Sequence, residues 1–99
     1  MNVIKIFTIK GCKACEILNN ILDSIKDEIK IKIENIDYNN PAYKDFIREH
    51  NITDFPTMSF LKDDKVIALF DGTFDKESIL SMVNRFYCEL PNFLQCPTH

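Results

Sequence analysis

The hydrophobic period of this chain changes abruptly at Gly11, and that change limits what the chain can fold into. Residues 2–9 (NVIKIFTI) are rich in β-branched side chains and alternate, Val3, Lys5 and Phe7 against Ile4, Ile6 and Thr8, which predicts a strand. From Lys13 onward Ala14, Leu18, Ile21, Leu22 and Ile25 recur at spacings of three and four, which predicts an amphipathic helix over about residues 12–26. Two thiols, Cys12 and Cys15, stand at the seam. There the first backbone N–H groups of a helix lack internal partners, and the positive end of its dipole favours a thiolate. A C-x-x-C pair serves either redox exchange or zinc binding, so both chemistries stay open at this point.

Ninety-nine residues make one domain, read here as 1–88 with an irregular tail over 89–99 that holds Pro91 and Pro97. A hydrophobic fraction of 45% supports a core without disulfide staples. The net charge of −3 argues against a nucleic-acid surface, which needs clustered Lys and Arg. No apolar run approaches the ~18 residues of a membrane span. With a strand predicted almost from Met1, no signal peptide is expected, so the expectation is a reducing, cytoplasmic setting. In that setting cysteines are catalytic or metal-binding more often than structural.

Beyond the first helix, Ile29-Lys30-Ile31-Lys32-Ile33 alternates and predicts a second strand running on through Ile36. Asp37-Tyr38-Asn39-Asn40 reads as a turn. Asn40 as N-cap and Pro41 at the first position then predict a short helix over 41–50, with Tyr43, Phe46 and Ile47 as its apolar contacts. Thr57–Leu61 and Val66–Phe70, joined at Asp63-Asp64, predict a hairpin. Asp75 is the expected cap of a last helix through Tyr87 that buries Ile79, Leu80, Val83 and Phe86. The order is βαβαββα. A right-handed crossover makes the first two strands parallel neighbours, the hairpin adds antiparallel strands, and the fold class is α/β: a mixed four-stranded sheet flanked by three helices.

With C-x-x-C opening a helix after the first strand, and Phe55-Pro56-Thr57 opening the hairpin, the chain resembles the thioredoxin-like superfamily. The run Ile36-Asp37, Phe55-Pro56-Thr57, Phe60-Leu61-Lys62-Asp63-Asp64-Lys65-Val66 and Gly72 is similar in order and spacing to thioredoxins, over residues 1–87. The outline, without an added strand and helix at the front, is closer to glutaredoxins. Departures from the thioredoxin pattern are Gly11 where a Trp stands, Lys13-Ala14 inside the motif, and Ile6 in place of a buried acid.

The resemblance implies a thiol–disulfide oxidoreductase acting on protein dithiols and disulfides, with no bound cofactor. Its electron donor would be a reductase or glutathione. Cys12, at the helix mouth, is the expected attacking thiol and Cys15 the resolving one. Helix N-termini and nearby cations lower a thiol from ~8.5 toward ~3.5–7.5, and Lys10 and Lys13 are expected to add positive potential. That potential favours the reduced thiolate and a couple more oxidising than about −270 mV. Only ~5–6% of X-Pro bonds are cis, yet the resemblance implies a cis Phe55-Pro56 bond. It also implies that Pro56 faces the thiols, Phe55 pairs its backbone with substrate, and Gly72 either approaches the site closely or turns the chain.

Three other functions compete. In a glutathione-dependent glutaredoxin, Asp71-Gly72-Thr73-Phe74-Asp75 matches the tripeptide-holding region only in part. A zinc protein would draw on Cys12, Cys15, Cys88, Cys96 and His99, although the second cysteine pair lacks C-x-x-C spacing. A non-catalytic docking subunit would not need its intact thiol pair. Cys88 and Cys96 are expected to be idle thiols, with a regulatory disulfide as the alternative. His50, at a helix end, reads as structural.

Overall fold

Residues 2–29 and 31–87 of the computed structural model are described below; Cys88, Cys96, His99 and the tail 89–99 lie outside them. The first strand, β1 (Asn2–Thr8), runs parallel to β2 (Lys32–Asp37) and antiparallel to β3 (Thr57–Lys62), and β3 pairs antiparallel with β4 (Lys65–Asp71). The sheet order is β2-β1-β3-β4. The helices are α1 (Lys13–Ile29), α2 (Lys44–Glu49) and α3 (Lys76–Tyr87), with a 3-10 turn at Pro41–Tyr43 leading into α2. The chain thus has the expected mixed four-stranded sheet and three helices. Among the described residues no helix is long and apolar enough to cross a membrane.

Strand alternation divides the core between the two sheet faces. Ile4 and Ile6 of β1 and Met58 and Phe60 of β3 pack with Leu18, Leu22, Ile25 and Ile29 of α1 and with Ile79, Val83 and Tyr87 of α3. Phe7 takes the opposite face and joins Ile36, Ile47 and Ile52, with Tyr43, Phe46 and Phe55 packed around them. Ile6 is fully buried on the α1 side, so an apolar side chain fills the position where the resemblance places a buried acid.

Several boundaries move for identifiable reasons. The first helix runs three residues past Lys26, because Ile29 continues the buried series Leu18, Leu22, Ile25. Ile29 fits both periods, and packing against the sheet decides for the helix; β2 accordingly starts at Lys32 rather than Ile29. On α1 the inward face is Cys15, Leu18, Leu22, Ile25 and Ile29, with Ala14 and Ile21 only half-buried. On α3 Tyr87 is buried, whereas Leu80 and Phe86 are half-buried. The segment expected as one helix over 41–50 is split: the Asn40 side chain accepts the Ala42 N–H at 3.0 Å, Pro41 follows, and α2 begins only at Lys44.

Turn and cap chemistry follow the residues present. Asp63 and Asp64 both have positive φ (51° and 68°), the conformation of a two-residue I′ hairpin turn. The Asp75 carboxylate accepts the Ser78 N–H at 2.8 Å and caps α3. At the other end of that helix the Tyr87 hydroxyl lies 3.0 Å from the Val3 carbonyl oxygen and 2.9 Å from that of Leu61, and holds α3 to the two central strands.

Candidate functional site

The end of β1 delivers the chain to Gly11, whose φ of +78° lies in the left-handed region and turns the strand into α1. Nothing lies within 4 Å of where a Cβ on Gly11 would stand, so glycine serves backbone conformation there, not space. Cys12 thereby becomes the N-cap of α1. Its carbonyl accepts the Glu16 N–H at 3.3 Å, and its Sγ accepts the Cys15 N–H at 3.1 Å. In the usual N-cap arrangement a side-chain oxygen takes that bond; here a sulfur does. An amide dipole therefore points at the sulfur, and it favours the anion over the neutral thiol.

Cys12 and Cys15 form a disulfide, with Cα atoms 5.2 Å apart. The two sulfurs are unequal in access. Cys12 is half-exposed, while Cys15, a turn inside the helix, is 4% exposed. An approaching disulfide meets Cys12 first.

Facing the pair is the segment before β3. The Phe55-Pro56 bond is cis, Pro56 is buried, and the Phe55 carbonyl oxygen lies 3.8 Å from Cys12 Sγ. Two bonds hold this segment in place: Thr57 Oγ1 donates to the Asp54 carbonyl at 2.6 Å, and the Gly72 N–H donates to the Pro56 carbonyl at 2.8 Å. Gly72 has φ +99° and open space where a Cβ would stand. That φ suits a turn of the chain, and the bond to Pro56 brings the Gly72 backbone against the segment facing the thiols. Its contribution is to continue the β3–β4 ladder onto Pro56.

The two lysines that flank Cys12 are open to solvent. Lys10 is exposed, and the Lys13 side chain is 86% exposed, its ammonium 3.9 Å from Glu16. Screened by water and offset by Glu16, Lys13 adds little potential at Cys12. The sulfur's positive surroundings come from the helix amides.

Tyr38 is the site residue that sequence reasoning missed. It follows β2 directly, and its N–H donates to the Thr8 carbonyl at 2.8 Å. Its ring meets Phe55 edge-on at 5.1 Å between centroids and remains 41% exposed. Ile9, between β1 and Gly11, is likewise exposed. An aromatic residue inside a polar turn was the available signal, submerged in the turn assignment of residues 37–40.

A half-exposed N-cap sulfur, a buried partner sulfur and a proline-led backbone segment opposite them are the parts of a dithiol exchange site. The Thioredoxin family profile matches residues 2–85. The chain belongs to the thioredoxin family. No curated protein matches the sequence. Among solved structures the chain is similar to oxidised thioredoxin O2 of Arabidopsis thaliana, with TM-score 0.72, 18% identity, and coverage of 88% of this chain and 76% of that one. It is similar to thioredoxin f2 of Chlamydomonas reinhardtii, with TM-score 0.70, 16% identity, and coverage of 98% and 82%. Thioredoxin-2, described as a component of the malaria parasite protein secretion machinery, gives TM-score 0.67 at 17% identity, covering 84% and 81%. At such identities these thioredoxins speak for a shared fold. The family and the paired cysteines together support thiol–disulfide oxidoreductase activity.

Proposed function

We propose that this protein exchanges disulfides with protein substrates through Cys12 and Cys15. The observation that carries the reading is the half-exposed Cys12 Sγ accepting a helix-start N–H and facing the Phe55 carbonyl. In the reduced protein the Cys12 thiolate attacks one sulfur of a substrate disulfide. A mixed disulfide forms, the substrate S–S bond breaks, and the released substrate thiolate takes a proton from solvent. Cys15 then loses its proton to solvent and its sulfur attacks Cys12 Sγ. The Cys12–Cys15 bond closes, the second substrate sulfur leaves, and two electrons have passed to the substrate. With buried Ile6 in place of the resembled family's acid, no side-chain acid at that position assists the second proton transfer. Phe55 and Pro56 present main chain to the substrate strand, and Gly72 steadies them.

The proposal includes a reducing cytoplasmic setting and a reductase or glutathione as electron donor. The partial match of Asp71-Gly72-Thr73-Phe74-Asp75 to a tripeptide-holding region favours protein substrates over the glutathione-dependent reading. The deciding experiment is insulin reduction with purified variants. Cys12→Ser is expected to abolish turnover, and Cys15→Ser to accumulate a covalent mixed disulfide visible by mass spectrometry. Undiminished insulin reduction by Cys12→Ser ends the proposal. Offering glutathione and thioredoxin reductase separately identifies the donor.

A further inference from the structure

Beside the thiol site lies a groove of about 540 Å³, bounded by residues 38–41, α2 and residues 51–53. Its floor includes Ile47 and Ile52, and its rim carries Lys44 and Arg48, four residues apart on one face of α2. No carboxylate lines it, although the whole chain has a net charge of −3. Lys44 has no ion-pair partner among the described residues. Arg48 donates to Asp45 at 2.7 Å, but a guanidinium has five N–H donors and keeps others free. The acids flanking these cations on α2, Asp45 and Glu49, are exposed and do not line the groove. Asp37 and Asp54, next in sequence to Tyr38 and Thr53, are likewise exposed and outside the lining. The side-chain amides of Asn39 and Asn51 line the groove without hydrogen-bond partners among the described residues, suited to the donors and acceptors of a peptide main chain.

One ring contact links the groove to the thiol site. Tyr38 forms one of its walls and packs against Phe55, whose carbonyl lies 3.8 Å from Cys12 Sγ. We infer that this groove is a second docking point for the protein substrate and takes an acidic segment of polypeptide flanking the disulfide. The inference rests on the oxidoreductase reading and adds to it a substrate class. The attraction is that of exposed charges, so it acts on encounter and register and weakens with salt.

The test uses three synthetic disulfide peptides, identical except for a flanking segment of Asp/Glu, Gln or Lys. The kcat/KM of the acidic peptide is expected to exceed that of the Gln peptide by about two- to thirty-fold at low salt, the range two exposed ion pairs supply. The Lys peptide is expected to be slowest, and 0.5 M salt to bring all three together on screening grounds, the Debye length then being roughly 4 Å. Lys44→Gln/Arg48→Gln should bring the acidic-to-Gln ratio to about one, and Lys44→Glu/Arg48→Glu should invert it. Equal rates for the three peptides, or a ratio unchanged in both double variants, overturn the inference while leaving the oxidoreductase reading intact. If none of the peptides is turned over, the oxidoreductase reading fails instead. NMR titration of the oxidised protein with the acidic segment alone, lacking cysteine, then decides the groove. Shifts confined to residues 38–53 are expected; none, or the same shifts with the Lys segment, overturn it.

Discussion

At the scale of single residues, the chemistry concentrates on one sulfur. Cys12 differs from Cys15 because Gly11 turns the strand just before it and leaves it at the N-cap, where a backbone N–H reaches its Sγ. In the reduced protein Cys12 is expected to react with iodoacetamide at lower pH than an ordinary thiol, while buried Cys15 reacts slowly. Peptide mapping of partially alkylated protein checks the order, and faster labelling of Cys15 reverses the assignment of roles. A second residue-scale prediction concerns the hairpin turn. Asp64 holds φ +68°, a conformation that costs an L side chain and suits glycine. Asp64→Gly is therefore expected to stabilise the fold by about 0.5–1 kcal/mol, read as a raised midpoint in urea unfolding with unchanged slope.

At the scale of elements, the site depends on where helices begin. The α3 start is fixed by Asp75, whose carboxyl is held below its ordinary value by hydrogen bonds to Ser78. A depressed folded-state value means that the cap stabilises fully above the unfolded carboxyl range, near pH 4, and fades as pH falls through it. Asp75→Ala is expected to lower Tm by a few degrees at pH 7. As pH falls below about 4 toward about pH 2, the gap to the unchanged protein should narrow. Paired thermal scans at both pH values check this; a constant gap shows that the carboxylate is not the cap. The split before α2 has the same kind of cause. The Asn40–Pro41 cap sets a tight 3-10 turn first, and that delay helps shape the groove that Lys44 and Arg48 border.

At the scale of the whole molecule, one hydroxyl ties the last helix to both central strands. Burial pushes the Tyr87 phenol well above its ordinary value, against the lowering effect of its bond to Leu61. The sign is that of a raised group: its contribution is complete below the unfolded value near pH 10 and is lost as pH rises beyond it. Tyr87→Phe leaves the Val3 and Leu61 carbonyls short of a donor and is expected to cost about 1–2 kcal/mol at pH 7. The difference from the unchanged protein should narrow above pH 10, because the variant lacks the phenol whose ionisation favours unfolding. Urea titrations at pH 7 and 11 measure both quantities. Because Val3 and Leu61 are paired in the β1–β3 register, this contact joins the first strand to the last helix across nearly the full described chain.

Much of this architecture was legible residue by residue. The alternation of β1, the three-and-four spacing of α1, the Asp63-Asp64 turn and the Asn40 and Asp75 caps are local signals, and each acts within a few residues of itself. The C-x-x-C at the strand–helix seam likewise marked the thiol pair. Ile29 marks where local reading ends: it satisfies helix and strand periods equally, and only the core packed above the sheet chose between them. Tyr38 against Phe55, Gly72 bonded to Pro56 and the groove under Lys44 and Arg48 join residues distant in sequence or depend on how loops pack. The chain by itself determined its elements and its reactive pair, because periodicity and capping are short-range. The tertiary structure decided which surfaces surround that pair, because those depend on contacts made only when the sheet brings separate loops to one end.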